Sequence, residues 1–355
     1  MADKQVNEVL AGTQAEQLQT LYRQMSPKHL APLWEQLSEL VPRVPNSRAL
    51  PHRWSYEEVR GYLARAGSLI STQEAERRVL ILENPGLRAC ASITPSLYAG
   101  LQLILPGEIA PCHRHSQCAL RFVLEGEGAY TSVDGEKVVM RPFDLVLTPA
   151  GQWHDHGNPT AQPAIWLDGL DIPTVRHFEA GFAETFTEPT HPETASPGDT
   201  LTRYGHNMRP LRSSKADRRP ARQPLFHYPY STWRPTLDWM QAAAQADPHL
   251  GHALEFINPA DGGSVMPTIS AHVRLLPQGF ETRPRRSTDG TVFVVVEGAG
   301  EAQINAEVIE LLPRDIFVVP SWMTLTLKAR ERLVLFAFSD QASQQKLNLY
   351  REECL

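Results

Sequence analysis

The chain is short of cysteine, of long apolar runs and of positive charge, and each shortage excludes something. Four cysteines stand in 355 residues, at 90, 112, 118 and 354. Their spacing forms neither a disulfide framework nor a CxxC metal pair, so a reducing compartment, the cytoplasm, is expected. No apolar run reaches the ~18 residues that a membrane helix needs. The opening Met1-Ala-Asp-Lys-Gln has no basic segment followed by an apolar one, so no secretory signal is expected. Lys and Arg total 34 against 40 for Asp and Glu, a formal charge of -6. Such a balance gives no reason to seek nucleic acid or anionic lipid.

Apolar residues make up 42% of the chain, too many for a disordered one. The length suggests two domains, and 29 prolines imply many turns. Residues 1–75 read as a helical arm. Leu18, Leu21, Tyr22 and Met25 share a helical stripe, as do Leu30, Leu33, Trp34, Leu37 and Leu40. Ser55 and Glu58 have capping-box spacing, with Gly67 as the expected stop. From Arg77 the texture changes to short apolar or alternating runs separated by Pro, Gly and Asp-Gly turns, which predicts an all-β barrel or sandwich. Residues 176–265 read as a linker with long loops, a basic run over Arg209–Arg222 and a short helix at Thr236–Ala246.

Residues 266–355 repeat the texture of 76–175. Gly107 and Gly126, the latter within Glu125-Gly-Glu-Gly128, answer to Gly279 and Gly298, within Glu297-Gly-Ala-Gly300. Pro142-Phe-Asp144 answers to Pro313-Arg-Asp315. An internal duplication of one β-domain is the simplest account.

His113 and His115 are two apart, so on a strand they share a face. His154 adds a third imidazole from a later strand of the same repeat. Three neutral imidazoles suit zinc, copper, iron or nickel. In the second repeat the answering positions hold Arg285, Ser287 and Leu325, so that barrel is expected to be metal-free.

Gly107 followed by His113-Arg-His115 resembles the first cupin motif, and Pro149-Ala-Gly151-Gln-Trp-His154-Asp-His-Gly-Asn158 the second. Phe143 replaces the usual leading glycine of motif two. The carboxylate ligand that many cupins carry is missing, because Ala119 and Leu120 stand in its place. Ser96-Leu-Tyr-Ala-Gly-Leu-Gln102, Ala119-Leu-Arg-Phe122, Trp153-His-Asp-His-Gly157 and Trp166-Leu-Asp-Gly-Leu-Asp171 narrow the resemblance to the gentisate 1,2-dioxygenase family. Glu76-Arg-Arg-Val79 and Glu83-Asn-Pro-Gly86 fit it too. The resemblance covers most of the chain and is specific in residues 76–171. Salicylate and 1-hydroxy-2-naphthoate dioxygenases share these motifs.

The resemblance implies an all-β bicupin with a helical N-terminal arm, one Fe(II) per chain in the N-terminal cupin, and a homotetramer. It implies O2-driven ring cleavage of 2,5-dihydroxybenzoate to maleylpyruvate, with salicylate or 1-hydroxy-2-naphthoate as alternative substrates. A metal-dependent isomerase or a non-catalytic binding bicupin are the readings from other classes. Three neutral ligands leave the metal charge uncompensated, which favours an anionic chelating substrate and an open position for O2.

Strand parity puts Arg121 on the face of His113 and His115, where a substrate carboxylate would compensate its charge. A salt bridge to Glu125 or Asp144 is the structural alternative. His156 shares the parity of His154 and is a candidate proton donor or acceptor. Asp168 is a candidate partner for His156 or for a substrate hydroxyl, against a turn-forming role before Gly169. Arg77, Tyr98 and Gln102 are candidate substrate-binding residues, with Arg78 as an alternative to Arg77.

Overall fold

A computed structural model describes residues 13–206 and 224–355, so the basic run over 209–222 lies outside the described residues. The chain divides into two compact units at Asn46. The shorter unit contains α1 (Gln14–Met25) and α2 (Leu33–Leu40). Thr13 and Glu16 form a reciprocal cap on α1. The Tyr22 hydroxyl donates to Glu35 and accepts from Trp34 Nε1, each at 2.8 Å.

The longer unit begins with β1 (His52–Trp54), α3 (Tyr56–Leu69) and α4 (Thr72–Ala75). Nine strands follow: β2 (Val79–Ile81), β3 (Tyr98–Ile104), β4 (Ile109–His115), β5 (Ala119–Glu125), β6 (Tyr130–Val133), β7 (Glu136–Val139), β8 (Leu145–Thr148), β9 (His154–Gly157) and β10 (Ala164–Leu170). The connecting stretch holds α5 (Ile172–His177), β11 (Ala183–Thr185), α6 (Asp199–Tyr204), β12 (His227–Tyr228) and α7 (Tyr230–Ala243). The second set of strands is β13 (His252–Glu255), β14 (Ser270–Leu276), β15 (Arg285–Ser287), β16 (Thr291–Glu297), β17 (Gly300–Ile304), β18 (Glu307–Leu311), β19 (Ile316–Val319), β20 (Leu325–Ala329) and β21 (Leu333–Ser339). The chain then runs through α8 (Gln341–Lys346) to β22 (Glu352–Cys354).

These strands form two copies of one architecture. Each copy has a six-stranded and a five-stranded sheet, ordered β12-β8-β5-β10-β3-β2 with β11-β4-β9-β6-β7, and β1-β19-β16-β21-β14-β13 with β18-β17-β20-β15-β22. Both are the double-sheet jelly roll of the cupins. The central strands β5, β16 and β21 are near-continuous apolar runs because both of their faces are covered. One core cluster runs from the first copy into the second, where Phe122 stacks on Phe336 at 4.0 Å between ring centroids. Phe143 takes the left-handed conformation, φ 67°, as does its counterpart Arg314, which explains why glycine is usual there.

The two copies also exchange their leading strands. β1 precedes the first barrel yet pairs with β19 of the second, and β12 precedes the second yet pairs with β8 of the first. The side chains around each exchange correspond in order. Arg53 pairs with Asp315 at 2.6 Å, and His227 with Asp144 at 2.8 Å. Arg60 pairs with Glu125 at 2.8 Å, and Arg234 with Glu297 at 2.6 Å. The duplication therefore reaches back through β1-α3 and β12-α7.

This arrangement changes three local expectations. Ser55 makes no side-chain cap on α3. The carboxylate of Asp315 instead accepts the first amide of that helix, from Tyr56, at 3.0 Å, and Asp144 does the same for Tyr230 in α7 at 2.8 Å. Gly67 does not end α3, which continues to Leu69. The helix expected from Thr236 starts at Tyr230, with Pro235 carried inside it.

Candidate metal centre and pocket

His113 and His115 project from β4, and His154 lies directly opposite His113 on β9. The His113 and His154 rings are 4.0 Å apart, and His115 lies 4.8 Å from His154 and 5.3 Å from His113. One nitrogen from each ring falls within 4.8 Å of the others. Among the described residues this is the cluster with the donors for a transition-metal ion.

The hydrogen bonds suit such an ion. His115 Nδ1 lies 3.0 Å from the Gln117 carbonyl and His154 Nδ1 2.9 Å from that of Gln152. A carbonyl only accepts, so the ring proton sits on Nδ1 and the Nε2 lone pair is free. His154 Nε2 is buried without a partner. His113 Nδ1 is 3.2 Å from the Pro111 carbonyl but 2.6 Å from Arg77 Nη2. A guanidinium only donates, so these two contacts demand opposite tautomers. Coordination through Nε2 of His113 requires the carbonyl contact.

Burial and then the nearby guanidinium groups keep these rings neutral. His113 is pushed down to about 3 by burial and Arg77, and His115 to about 4 by burial and Arg121. His154 is held well below the usual imidazole range by burial and its neighbouring histidines. Neutral rings keep the lone pairs that a metal requires. No carboxylate joins the three, and Ala119 and Leu120 are both buried and apolar.

Arg121 is 4% exposed and donates through Nη1 to Thr148 Oγ1. Its Nε is 3.4 Å from Asp168 Oδ1 without a hydrogen-bonding alignment. Neither Glu125 nor Asp144 takes it: Glu125 pairs with Arg60 and Asp144 with His227. Asp168 is not spent on a turn. It lies within β10 opposite Arg121, and Trp166 Nε1 donates to it at 3.0 Å. Burial raises its carboxyl to about 6, with Arg121 pulling the other way. Burial likewise lowers Arg121 to about 10.

His156 is fully buried, with Nδ1 2.9 Å from Thr131 Oγ1 and Nε2 without a partner. Gln102 is buried on β3, opposite Trp166. Tyr98 is half-buried at the start of the same strand, and burial and then Asp168 raise its hydroxyl. A Cβ on Gly100 would come within 2.8 Å of that hydroxyl and 2.6 Å of Val79, so the glycine admits their close approach. Arg77 reaches His113, while Arg78 turns away to Glu108 at 2.9 Å and to the Ile70 carbonyl.

Thr131 and Thr148 carry no signal in the sequence, and Trp166 stands there only within the motif that ends at Asp171. Trp166 shares the parity of Asp168, which was a usable signal. The threonines meet their partners across strands, so only the register reveals them. The connecting stretch also contributes, because β11 pairs with the metal-bearing segment, Thr185 opposite His113 and Ala183 opposite His115.

In the second barrel Arg285 lies opposite Leu325, as His113 lies opposite His154. The Arg285 guanidinium is bound to Glu352 and Tyr350. A fixed cation and an aliphatic chain offer a metal ion nothing.

Fold and site together define a bicupin with a single three-histidine metal centre among its described residues. The cupin domain model matches residues 100–170, which hold all three histidines. The chain is 50% identical to gentisate 1,2-dioxygenase 1 of Aquipseudomonas alcaligenes, over 93% of this chain and 94% of the relative. It is 34% identical to a 5-aminosalicylate 1,2-dioxygenase of Comamonas sp, over 95% of this chain and 90% of that one. The crystal structure of salicylate 1,2-dioxygenase from Pseudoaminobacter salicylatoxidans, an adduct with gentisate, superposes with a TM-score of 0.89 at 36% identity, covering 97% of this chain and 96% of that one. The chain belongs to the gentisate 1,2-dioxygenase family.

Proposed function

We propose that this chain is an Fe(II)-dependent gentisate 1,2-dioxygenase, an enzyme that opens the ring of 2,5-dihydroxybenzoate between the carboxylated carbon and the adjacent hydroxylated one to give maleylpyruvate. The observation that carries this is the carboxylate-free histidine triad beside two guanidinium groups, in a chain half identical to a gentisate dioxygenase along nearly its whole length. His113, His115 and His154 would hold one Fe(II) per chain. Bound iron would supply the redox centre that couples the electron-rich ring to O2.

The chain's own residues supply charge, orientation and proton positions. Arg77 and Arg121 outnumber Asp168, so the pocket carries an excess positive charge that an aromatic carboxylate offsets. The Arg121 fork is held from one side by Thr148, which leaves donors for an anion. Asp168 and His156, both buried, would take or hold a hydroxyl proton. Gln102 and Tyr98, on β3, would border the ring. The apolar face of α2, with Leu33, Trp34, Leu37 and Leu40 exposed, supports self-association, and a cytoplasmic homotetramer is the assembly we propose.

The test is oxygen uptake by protein loaded anaerobically with Fe(II), with gentisate, salicylate, 5-aminosalicylate and 1-hydroxy-2-naphthoate in parallel. One O2 consumed per gentisate, with both atoms in the product mass, is expected. Uptake only with another acid would change the substrate. No uptake with verified iron would overturn the assignment. Sedimentation at several concentrations tests the tetramer.

A further inference from the structure

The second barrel has lost its metal ligands but not its charge. In the two strand registers Arg274 of β14 answers to Gln102 of β3, and Phe293 and Ala337 answer to Arg121 and Asp168. The arginine of the first barrel is therefore gone from its position. Two others, Arg274 and Arg285, stand where the first barrel has glutamine and histidine. Apolar replacement would be enough to close a disused site. It gives no reason to bury new guanidinium groups, because an uncompensated buried charge is costly.

Arg274 is 6% exposed. Its Nε donates to His272 Nε2 at 3.0 Å, and its guanidinium carbon lies 5.3 Å from the centre of the Phe293 ring. Neither contact supplies a negative charge. Burial and then Arg274 hold His272 well below the usual imidazole range, so that ring is neutral. Burial and then Arg285 lower Arg274 to about 10, with Asp289 pulling the other way. Among the described residues no carboxylate pairs with Arg274, and its two terminal nitrogens have no protein acceptor.

Arg274 lines a cavity together with Arg285, Arg286, Asp289 and Thr291. Glu352 and Glu353 pair with Arg285 and Arg286, but they stand on β22, half-exposed and outside the cavity lining. Three guanidinium groups thus face the cavity against the single carboxylate of Asp289. Asp289 Oδ2 accepts from Thr291 Oγ1 at 3.1 Å, while its Oδ1 is buried without a protein partner. The cavity is small, about 20 Å³. One water needs about 10–15 Å³, so an aromatic acid is too large. A guanidinium edge matches a planar oxyanion. The open Oδ1 asks that this anion still carry a hydrogen.

We propose that the second barrel binds a small planar oxyanion bearing one hydrogen, of the bicarbonate type, which accepts from Arg274 and donates to Asp289 Oδ1. The site is separate from the three-histidine centre and does not rest on the dioxygenase reading.

Nitrate tests the role of the hydrogen, because it has the shape and charge of bicarbonate without it. The metal-loaded protein is melted at mildly alkaline pH and constant ionic strength while chloride is replaced stepwise by bicarbonate or by nitrate. Tm is expected to climb with bicarbonate concentration, as it does for any ligand of the folded state, and much less with nitrate. In Asp289→Asn the Thr291 hydroxyl holds the amide oxygen, so Nδ2 takes the place of Oδ1 and donates. Bicarbonate is expected to bind about 10- to 100-fold more weakly there, the scale of a charge-assisted hydrogen bond, and nitrate more tightly. Arg274→Gln is expected to lose both responses, and Arg121→Ala, in the first barrel, to keep them. If Arg274→Gln does not melt cooperatively, the exchange of preference in Asp289→Asn decides. Equal responses of the parent to the two anions, a bicarbonate response that survives in Arg274→Gln, or no response beyond that to chloride would each overturn the proposal and leave the dioxygenase reading untouched.

Discussion

Arg121 and Asp168 face each other across β5 and β10, both buried, with Nε and Oδ1 3.4 Å apart and not aligned as a hydrogen bond. Each is instead engaged from outside the pair, Arg121 by Thr148 and Asp168 by Trp166. A closer pair would spend the guanidinium on its own carboxylate. This spacing keeps charge compensation in the protein while leaving donors for a second anion.

Replacing Arg121 tests that division. In Arg121→Ala, metal content is expected to stay at the parent level. kcat/KM for gentisate is expected to fall by about 10- to 100-fold, since a charge-assisted hydrogen bond contributes about 1.5–3 kcal/mol. Arg121→Lys should recover only part, because an ammonium lacks the planar fork. Steady-state kinetics decides, and parent-like values would leave Arg121 a purely structural role.

The triad predicts one metal ion per chain. His113→Ala and His154→Ala are each expected to lose both the ion and turnover, as read by elemental analysis and oxygen uptake. Two ions per parent chain would place a second centre elsewhere and defeat the account of Arg285 and Leu325.

Asp168 gives a pH dependence with a definite sign. Burial raises its carboxyl to about 6 in the folded chain, above the ordinary 3.8. The carboxylate form that can accept a proton therefore grows as pH rises through about 6, and kcat is expected to rise with it. Asp168→Asn should flatten that limb as well as lower the plateau. The raised value also means that the group favours the fold below pH 3.8 and that this contribution is lost as pH rises through 6. Urea denaturation at pH 5 and pH 8 should show a smaller decline in Asp168→Asn than in the parent.

The crossed helix caps predict a stability effect far from the metal. Asp315 accepts from Arg53, Tyr56 N and Leu312 N, and is 2% exposed. Asp315→Ala is expected to cost about 3 kcal/mol, the scale of breaking a buried ion pair. Asp144→Ala should cost a similar amount. Urea midpoints of the metal-loaded protein measure both, and a loss under half a kcal/mol in either would show that water replaces the cap.

The metal centre was readable in the sequence because it rests on local chemistry. Two histidines at strand spacing share a face wherever that strand is placed, and His154 stands on a later strand of the same repeat. Arg121 and Asp168 were nameable as residues, but their partners were not. Thr148 and Thr131 enter through strand register, which periodicity does not encode. The cap on α3 was misplaced for another reason. Ser55 and Glu58 have the right spacing, but a carboxylate more than 250 positions away, Asp315, holds the helix start. Pro235 concealed the first turn of α7, since a proline reads as a boundary when its tertiary surroundings are unknown.

The exchanged strands bear on how the chain is made. β1 leaves the ribosome early, but its partner β19 comes more than 250 residues later, with Trp54 opposite Ile316. The metal-bearing barrel likewise waits for β12 to complete its six-stranded sheet. Neither six-stranded sheet is complete from the strands of its own repeat, so the pairing of each depends on a segment that leads into the other. Each barrel thus lends the other an edge strand, which couples the folding of the repeat that kept its histidines to that of the repeat that lost them.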